Sequence, residues 1–165
     1  WAWKTMLERR DGPAGIALSR QNLPVFDRSK VASAEGVAKG AYVLADAPSG
    51  NPDVVIIASG SEVAIALEAH AALAGEGVQA RVVSMPSQEI FLKQSADYQA
   101  SVLPPGAKRV AVEAGHPMSW QRFTGTDGAV IGIESFGASA PYQRLYKEYG
   151  ITAEAVVAAA KRVAS

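Results

Sequence analysis

The chain has no cysteine and only two histidines in 165 residues. The first absence excludes disulfides, thiolate zinc sites and cysteine nucleophiles together, and it fits a reducing compartment such as the cytoplasm. The second excludes a histidine-rich metal centre. Net charge is lacking as well, because 16 Lys and Arg balance 16 Asp and Glu. The basic residues are scattered, never more than two together, so no stripe exists to neutralise a nucleic-acid backbone or an anionic membrane. Neither nucleic acid nor membrane is expected as a partner. No apolar run approaches the roughly 20 residues of a membrane span, and nothing at the start reads as a signal peptide.

What is present describes a folded α/β chain. Hydrophobic residues make up 48% and charged residues 19%, enough apolar surface to offset the entropy lost on ordering. The length suits one domain, or one domain with a piece of another. Trp3, Met6 and Leu7 share one helical face, and Asp11-Gly12-Pro13 ends that helix. Because the chain opens on Trp1 inside this pattern, a longer parent is expected. Ala14–Ser19 is a short apolar run that reads as a buried strand, and Gln21–Gly40 reads as a linker.

Regular alternation follows. Strands are expected at Ala41–Ala45, Val54–Ser59, Gln79–Ser84, Lys108–Ala114 and Ala129–Ile133. Between them fall a helix ending near Gly75, helical material around Phe91 and Tyr98, and a helix with Trp120 and Phe123. Two more helices are expected at Pro141–Tyr149 and Thr152–Ala164. Ser59 with Glu62 matches a capping box. The pattern predicts a three-layer αβα domain with a mostly parallel sheet of about five strands.

Ligands on such sheets sit beyond the carboxyl ends of the strands, which singles out four places. Arg20, after Ala14–Ser19, offers a fork of donors to a phosphate, or pairs with a carboxylate. Ser59-Gly60-Ser61 either cradles an anion or caps a helix; it is neither a P-loop nor GxGxxG. Glu113 and His116 are an acid/base pair, or His116 caps a helix. Ser135–Pro141 is a small-residue loop in which Gly137 and Pro141 serve loop geometry. No GxSxG elbow is present. Trp120, Phe123, Tyr142 and Tyr146 have the spacing of core or interface residues.

These segments resemble, in order, those of the C-terminal third of the transketolase family. The resemblance lies in Leu18–Pro24 (LSRQNLP), Ile57–Glu62 (IASGSE), Ala80–Pro86 (ARVVSMP), Val102–Pro104, Arg109–Gly115 (RVAVEAG) and Phe136–Pro141 (FGASAP). Leu92 and Ser95 depart from it, standing where the family commonly has acidic residues. The resemblance implies a thiamine diphosphate enzyme, with a divalent cation (Mg or Ca), that moves a two-carbon ketol unit from a ketose phosphate to an aldose phosphate in the pentose phosphate pathway. It implies a homodimer of three-domain chains in the cytoplasm. Residues 1–24 would end the middle, pyrimidine-binding domain, 25–40 would be a linker, and 41–165 the C-terminal domain with dimer contacts.

Within that resemblance Arg20 matches the family's arginine for the substrate phosphate. It implies no catalytic, cofactor-binding or metal residue in this chain, since those belong to parts of the family's chain that precede it. Thr126-Asp127-Gly128 lacks the preceding glycine of the family's diphosphate motif, and His70 and His116 do not match its substrate histidines. Alone, this piece is expected to bind no thiamine diphosphate and to be inactive. Deoxyxylulose-phosphate synthase and pyruvate dehydrogenase β-type subunits share the domain order, but the SRQN and SFGASAP segments favour transketolase. A different expectation is a free-standing regulatory or ligand-binding module built from the same domain, with a ligand at Ser59–Ser61 or Gly137.

Overall fold

The computed structural model describes all 165 residues. Helix α1 (Ala2–Glu8) opens the chain and buries none of its residues. Ala14–Ser19 follows as chain without secondary structure, exposed apart from a half-buried Ile16, not as the expected buried strand. The physical reason is pairing. An apolar run becomes a strand only when a neighbour satisfies its N–H and C=O groups, and no strand of this sheet lies beside it. Val31, Val37 and Phe26 then pack the edge of the core along the 25–40 crossing, which includes a 3-10 helix at Ala34–Lys39.

The crossing enters the sheet at a fixed point. Gly40 has φ +83°, and a Cβ there would lie 2.3 Å from the Phe91 nitrogen and 2.5 Å from the Ser87 carbonyl oxygen. Only glycine fits that positive φ and that approach. Strand β1 (Tyr42–Ala45) follows, then β2 (Val54–Ala58), helix α2 (Glu62–Gly75) and β3 (Ala80–Ser84). Short helices α3 (Gln88–Leu92) and α4 (Ala96–Val102) lead to β4 (Lys108–Val112), α5 (Met118–Thr124) and β5 (Ala129–Ile131). Helices α6 (Tyr142–Glu148) and α7 (Ala153–Ala164) complete the chain.

The sheet order is β1-β3-β2-β4-β5. β2, β3, β4 and β5 are parallel, with Ile56 opposite Val82 on one side and Val110 on the other. β1 runs antiparallel to β3 at one edge. Burial explains why β2 is central: all five of its residues are enclosed, as a strand covered on both faces requires. Val54, Ile56 and Ala58 point to one layer with Leu73, Val156 and Ala160. Val55 and Ile57 point to the other, with Phe91, Val102, Trp120 and Phe123. Each such fully buried Val or Ile contributes about 1.5–3 kcal/mol. Helices therefore cover both faces, and the architecture is the expected αβα sandwich.

Candidate functional site at the carboxyl ends of β2 and β4

β2 and β4 are neighbours, yet the chain leaves them toward opposite edges, from β2 through α2 to β3 and from β4 through α5 to β5. A crevice opens where connections diverge in this way, and it is where open α/β sheets place their sites. Ser59 directly follows β2 and Glu113 directly follows β4. The Ser59 hydroxyl donates to Glu113 Oε2 at 2.7 Å and closes the crevice at its base. Burial raises the Glu113 pKa above its usual value, the Ser59 hydrogen bond opposes this, and the Glu62 charge adds to the rise.

The turn after β2 bends through Gly60 at φ +51°. It aims Ser61 at Glu62, the first residue of α2, whose Oε1 accepts from Ser61 Oγ at 2.8 Å. Glu62 is only 2% exposed. A buried carboxylate needs partners, and a second one comes from across the fold: the Tyr146 hydroxyl of α6 donates to the same oxygen. Burial, reinforced by that bond to Glu62, pushes the Tyr146 phenol up to about 12. The phenol therefore keeps its proton at neutral pH. Its oxygen lies 3.1 Å from Ser61 Oγ and accepts from Gln21 Nε2 at 3.3 Å.

Gln21 brings the exposed N-terminal segment onto the domain. Ser19 approaches as well, with its Oγ 3.8 Å from where a Cβ on Gly60 would stand. Arg20 lies between these two residues, is exposed, and takes part in none of the chain's salt bridges. The carboxylate-pairing alternative for Arg20 is thus not realised within the chain.

The other expected places resolve differently. Ser59 is not the cap of α2; Ser61 occupies that position without a side-chain capping bond, because the Ser59 hydroxyl is engaged by Glu113. His116 accepts from the Met118 backbone N–H through Nδ1 at 3.3 Å. The N-cap of α5 is Pro117, and His116 meets only the first N–H of the helix, while Glu113 bonds Ser59, so the two side chains do not bond each other. Trp120 and Phe123 are core, as their spacing predicts. Tyr146 is part of the crevice, a role that helical spacing alone could not reveal. Ser135–Pro141 carries a fully exposed Phe136, and Pro141 accepts from the backbone N–H groups of Arg144 and Leu145 at the start of α6.

Thr126-Asp127-Gly128 is a bend between α5 and β5 in which Thr126 Oγ1 bonds its neighbour Asp127. No group of three or more His, Cys, Asp or Glu is arranged to hold a metal ion. An open groove of about 580 Å³ beside α5 and β5 is lined by Gln121, Thr124, Thr126, Val130 and Glu134; none of the residues around Glu62 lines it. No helix is long and apolar enough to cross a membrane.

Comparison with known proteins places the chain. Residues 40–152 match the transketolase-like TK C-terminal domain. A transketolase of Aquifex aeolicus is 51% identical over 157 residues, covering 94% of this chain and 23% of that protein. The structure of a Pichia stipitis transketolase in complex with sedoheptulose 7-phosphate superposes with a TM-score of 0.86 at 38% identity, covering 99% of this chain and 23% of that one. A split-gene transketolase, described as an inactive β4 tetramer, gives a TM-score of 0.64 at 26% identity over 88% of this chain and 48% of its own. The chain spans about a quarter of the length of the curated relatives it matches. By its sequence match and its fold, this chain belongs to the transketolase family and carries that family's C-terminal domain.

Proposed function

We propose that the protein carrying this chain catalyses ketol transfer between a ketose phosphate and an aldose phosphate, and that Arg20 holds the phosphate of the substrate. The observation that carries the arginine's role is its state: an exposed guanidinium with no ion pair, beside Gln21, which bonds the Tyr146 hydroxyl in the crevice. Its planar fork suits two phosphate oxygens at once. Such a contact positions the sugar for reaction and moves no proton. The Pichia stipitis relative was solved with a sugar phosphate bound, which supports this substrate class.

In the same reading, thiamine diphosphate and a divalent cation are held by parts of the protein outside this chain and supply the carbanion chemistry. Residues 1–24 end the preceding domain, 25–40 cross over, and 41–165 form the C-terminal domain. Homodimerisation is supported by the exposed apolar Met118 and Phe136, which ask for cover. Cytoplasmic residence is supported by the cysteine-free sequence. The split-gene relative described as inactive supports inactivity of this piece alone.

The test is ketol transfer by the full-length protein, parent against Arg20→Ala, with an aldose 5-phosphate and the same aldose without phosphate. Loss of charge-assisted hydrogen bonds should raise KM for the phosphorylated acceptor about 10- to 100-fold and spare the other. An unchanged phosphate preference removes Arg20 from the site. Absence of transfer in the parent would instead favour a regulatory module.

A further inference from the structure

The segment around Arg20 has little to hold it. Residues 8–20 are exposed apart from a half-buried Ile16, and none lies in a helix beyond Glu8 or in any strand. An arginine on so loose a chain would lose much conformational freedom on gripping a phosphate, and that loss would weaken binding. The chain's one long-range side-chain hydrogen bond from this segment is Gln21 to Tyr146, 125 residues away.

Resting on the reading of Arg20 as the phosphate ligand, we infer that Tyr146 and Glu62 are positioning residues for the substrate-phosphate arginine, acting through Gln21. The link has a direction. Tyr146 has one proton and gives it to Glu62 Oε1, so its oxygen presents lone pairs toward Gln21 Nε2. Ser61 Oγ lies 2.8 Å from the same Glu62 oxygen and 3.1 Å from the Tyr146 hydroxyl, and it ties the two groups together at the start of α2. A hydroxyl that donates to a carboxylate is a better acceptor for the next donor in the chain. The Glu62 charge thus strengthens a bond it does not touch.

The base of the link is rigid. Glu62 is buried at the start of the 14-residue helix α2, and Tyr146 packs edge-on against Tyr142 at 5.6 Å between ring centres. On the other side of Arg20, Ser19 Oγ lies 3.8 Å from where a Cβ on Gly60 would stand, near that turn but not bonded to it. The arginine's backbone is therefore tied to the C-terminal domain through Gln21, while its side chain stays free. This gives the domain a part in substrate selection without contact to substrate. It is a preorganising role, which acts by reducing the ordering left for binding.

The experiment uses the full-length enzyme with its cofactors and compares Tyr146→Phe, Glu62→Gln, Arg20→Ala and the Arg20→Ala/Tyr146→Phe double variant. Acceptors are an aldose 5-phosphate and the unphosphorylated aldose; thermal unfolding is followed in parallel. Tyr146→Phe should raise KM for the phosphorylated acceptor about 3- to 10-fold, the worth of one net hydrogen bond, with kcat retained. Glu62→Gln should shift KM in the same direction but less, because an amide oxygen still accepts from Tyr146. Tyr146→Phe should add nothing in the Arg20→Ala background, since its effect runs through that arginine.

Equal losses with both acceptors, or an additive double variant, would assign Tyr146 to stability alone and overturn the inference while leaving the Arg20 reading in place. An unchanged KM in Tyr146→Phe would overturn it too. If Arg20→Ala itself keeps the phosphate preference, the arginine reading falls and the inference with it.

Discussion

Arg81 grips Asp46 with two donors, Nε to Oδ1 at 2.6 Å and Nη2 to Oδ2 at 3.0 Å. The guanidinium is almost fully buried on β3, while Asp46, just after β1, keeps 45% of its side chain open to water. Two further bonds run to the carbonyls of Ser101 and Gly50. One side chain thus fastens the antiparallel edge strand, the loop before β2 and helix α4. The pair is asymmetric, and its two halves should not cost the same to remove.

Asp46→Ala leaves a buried cation with carbonyl partners only. It should destabilise the protein by about 2 kcal/mol, below the range for a wholly enclosed pair because Asp46 is partly hydrated. Asp46→Asn retains a hydrogen-bonding partner and should cost less. Urea denaturation of the two variants against the parent measures the difference, and equal losses would show that the charge on Asp46 contributes nothing.

Two of the seven glycines at positive φ, Gly60 and Gly40, should respond differently to alanine. At Gly60 the space is open, with Ser19 Oγ at 3.8 Å as the nearest group. Gly60→Ala should cost the backbone penalty alone, about 1–2 kcal/mol. At Gly40 backbone atoms of Phe91 and Ser87 occupy the space and cannot give way without moving α3. Gly40→Ala should cost more than that penalty, and soluble yield together with thermal unfolding of both variants tests the order.

Glu113 makes stability depend on pH in a definite sense. Its pKa is raised in the folded protein, first by burial. The stability it contributes is therefore full below the ordinary carboxylate pKa and is lost as pH rises through the folded value. Glu113→Gln keeps an acceptor for Ser59 and cannot ionise. Its melting temperature should gain on the parent between about pH 4 and about pH 8, with the gain appearing above the ordinary carboxylate range. A constant offset across that interval would show that Glu113 titrates normally.

Local pattern was enough for the elements that bury themselves. Val54–Ala58 is apolar throughout, Ala80–Ser84 has its apolar residues at Ala80, Val82 and Val83, and the two lie side by side within the sheet; the helix between them ends at Gly75, as expected. Where the outcome depended on a distant group, pattern misled. Ala14–Ser19 is as apolar as a buried strand but has no strand to pair with. Ser59 has the spacing of a helix cap, yet its hydroxyl is captured by Glu113, 54 residues on. The crevice at Glu62 was only half visible. Its glycine turn stands out in the sequence, whereas the Tyr146 and Gln21 contacts span 84 and 125 residues and follow from the fold alone.

The sheet's two margins are its shortest strands, four residues at β1 and three at β5. So few unpaired backbone groups offer a poor template for a foreign strand. Chains of this domain should not stack margin to margin, and whatever stickiness the piece shows comes from elsewhere. Trp3, Leu7 and Leu18 are exposed before the crossing, and Val25 at its first residue. Self-association thus has two sources, the leading tail and the exposed Met118 and Phe136 of the sandwich behind it, and removing the tail should lower it without abolishing it.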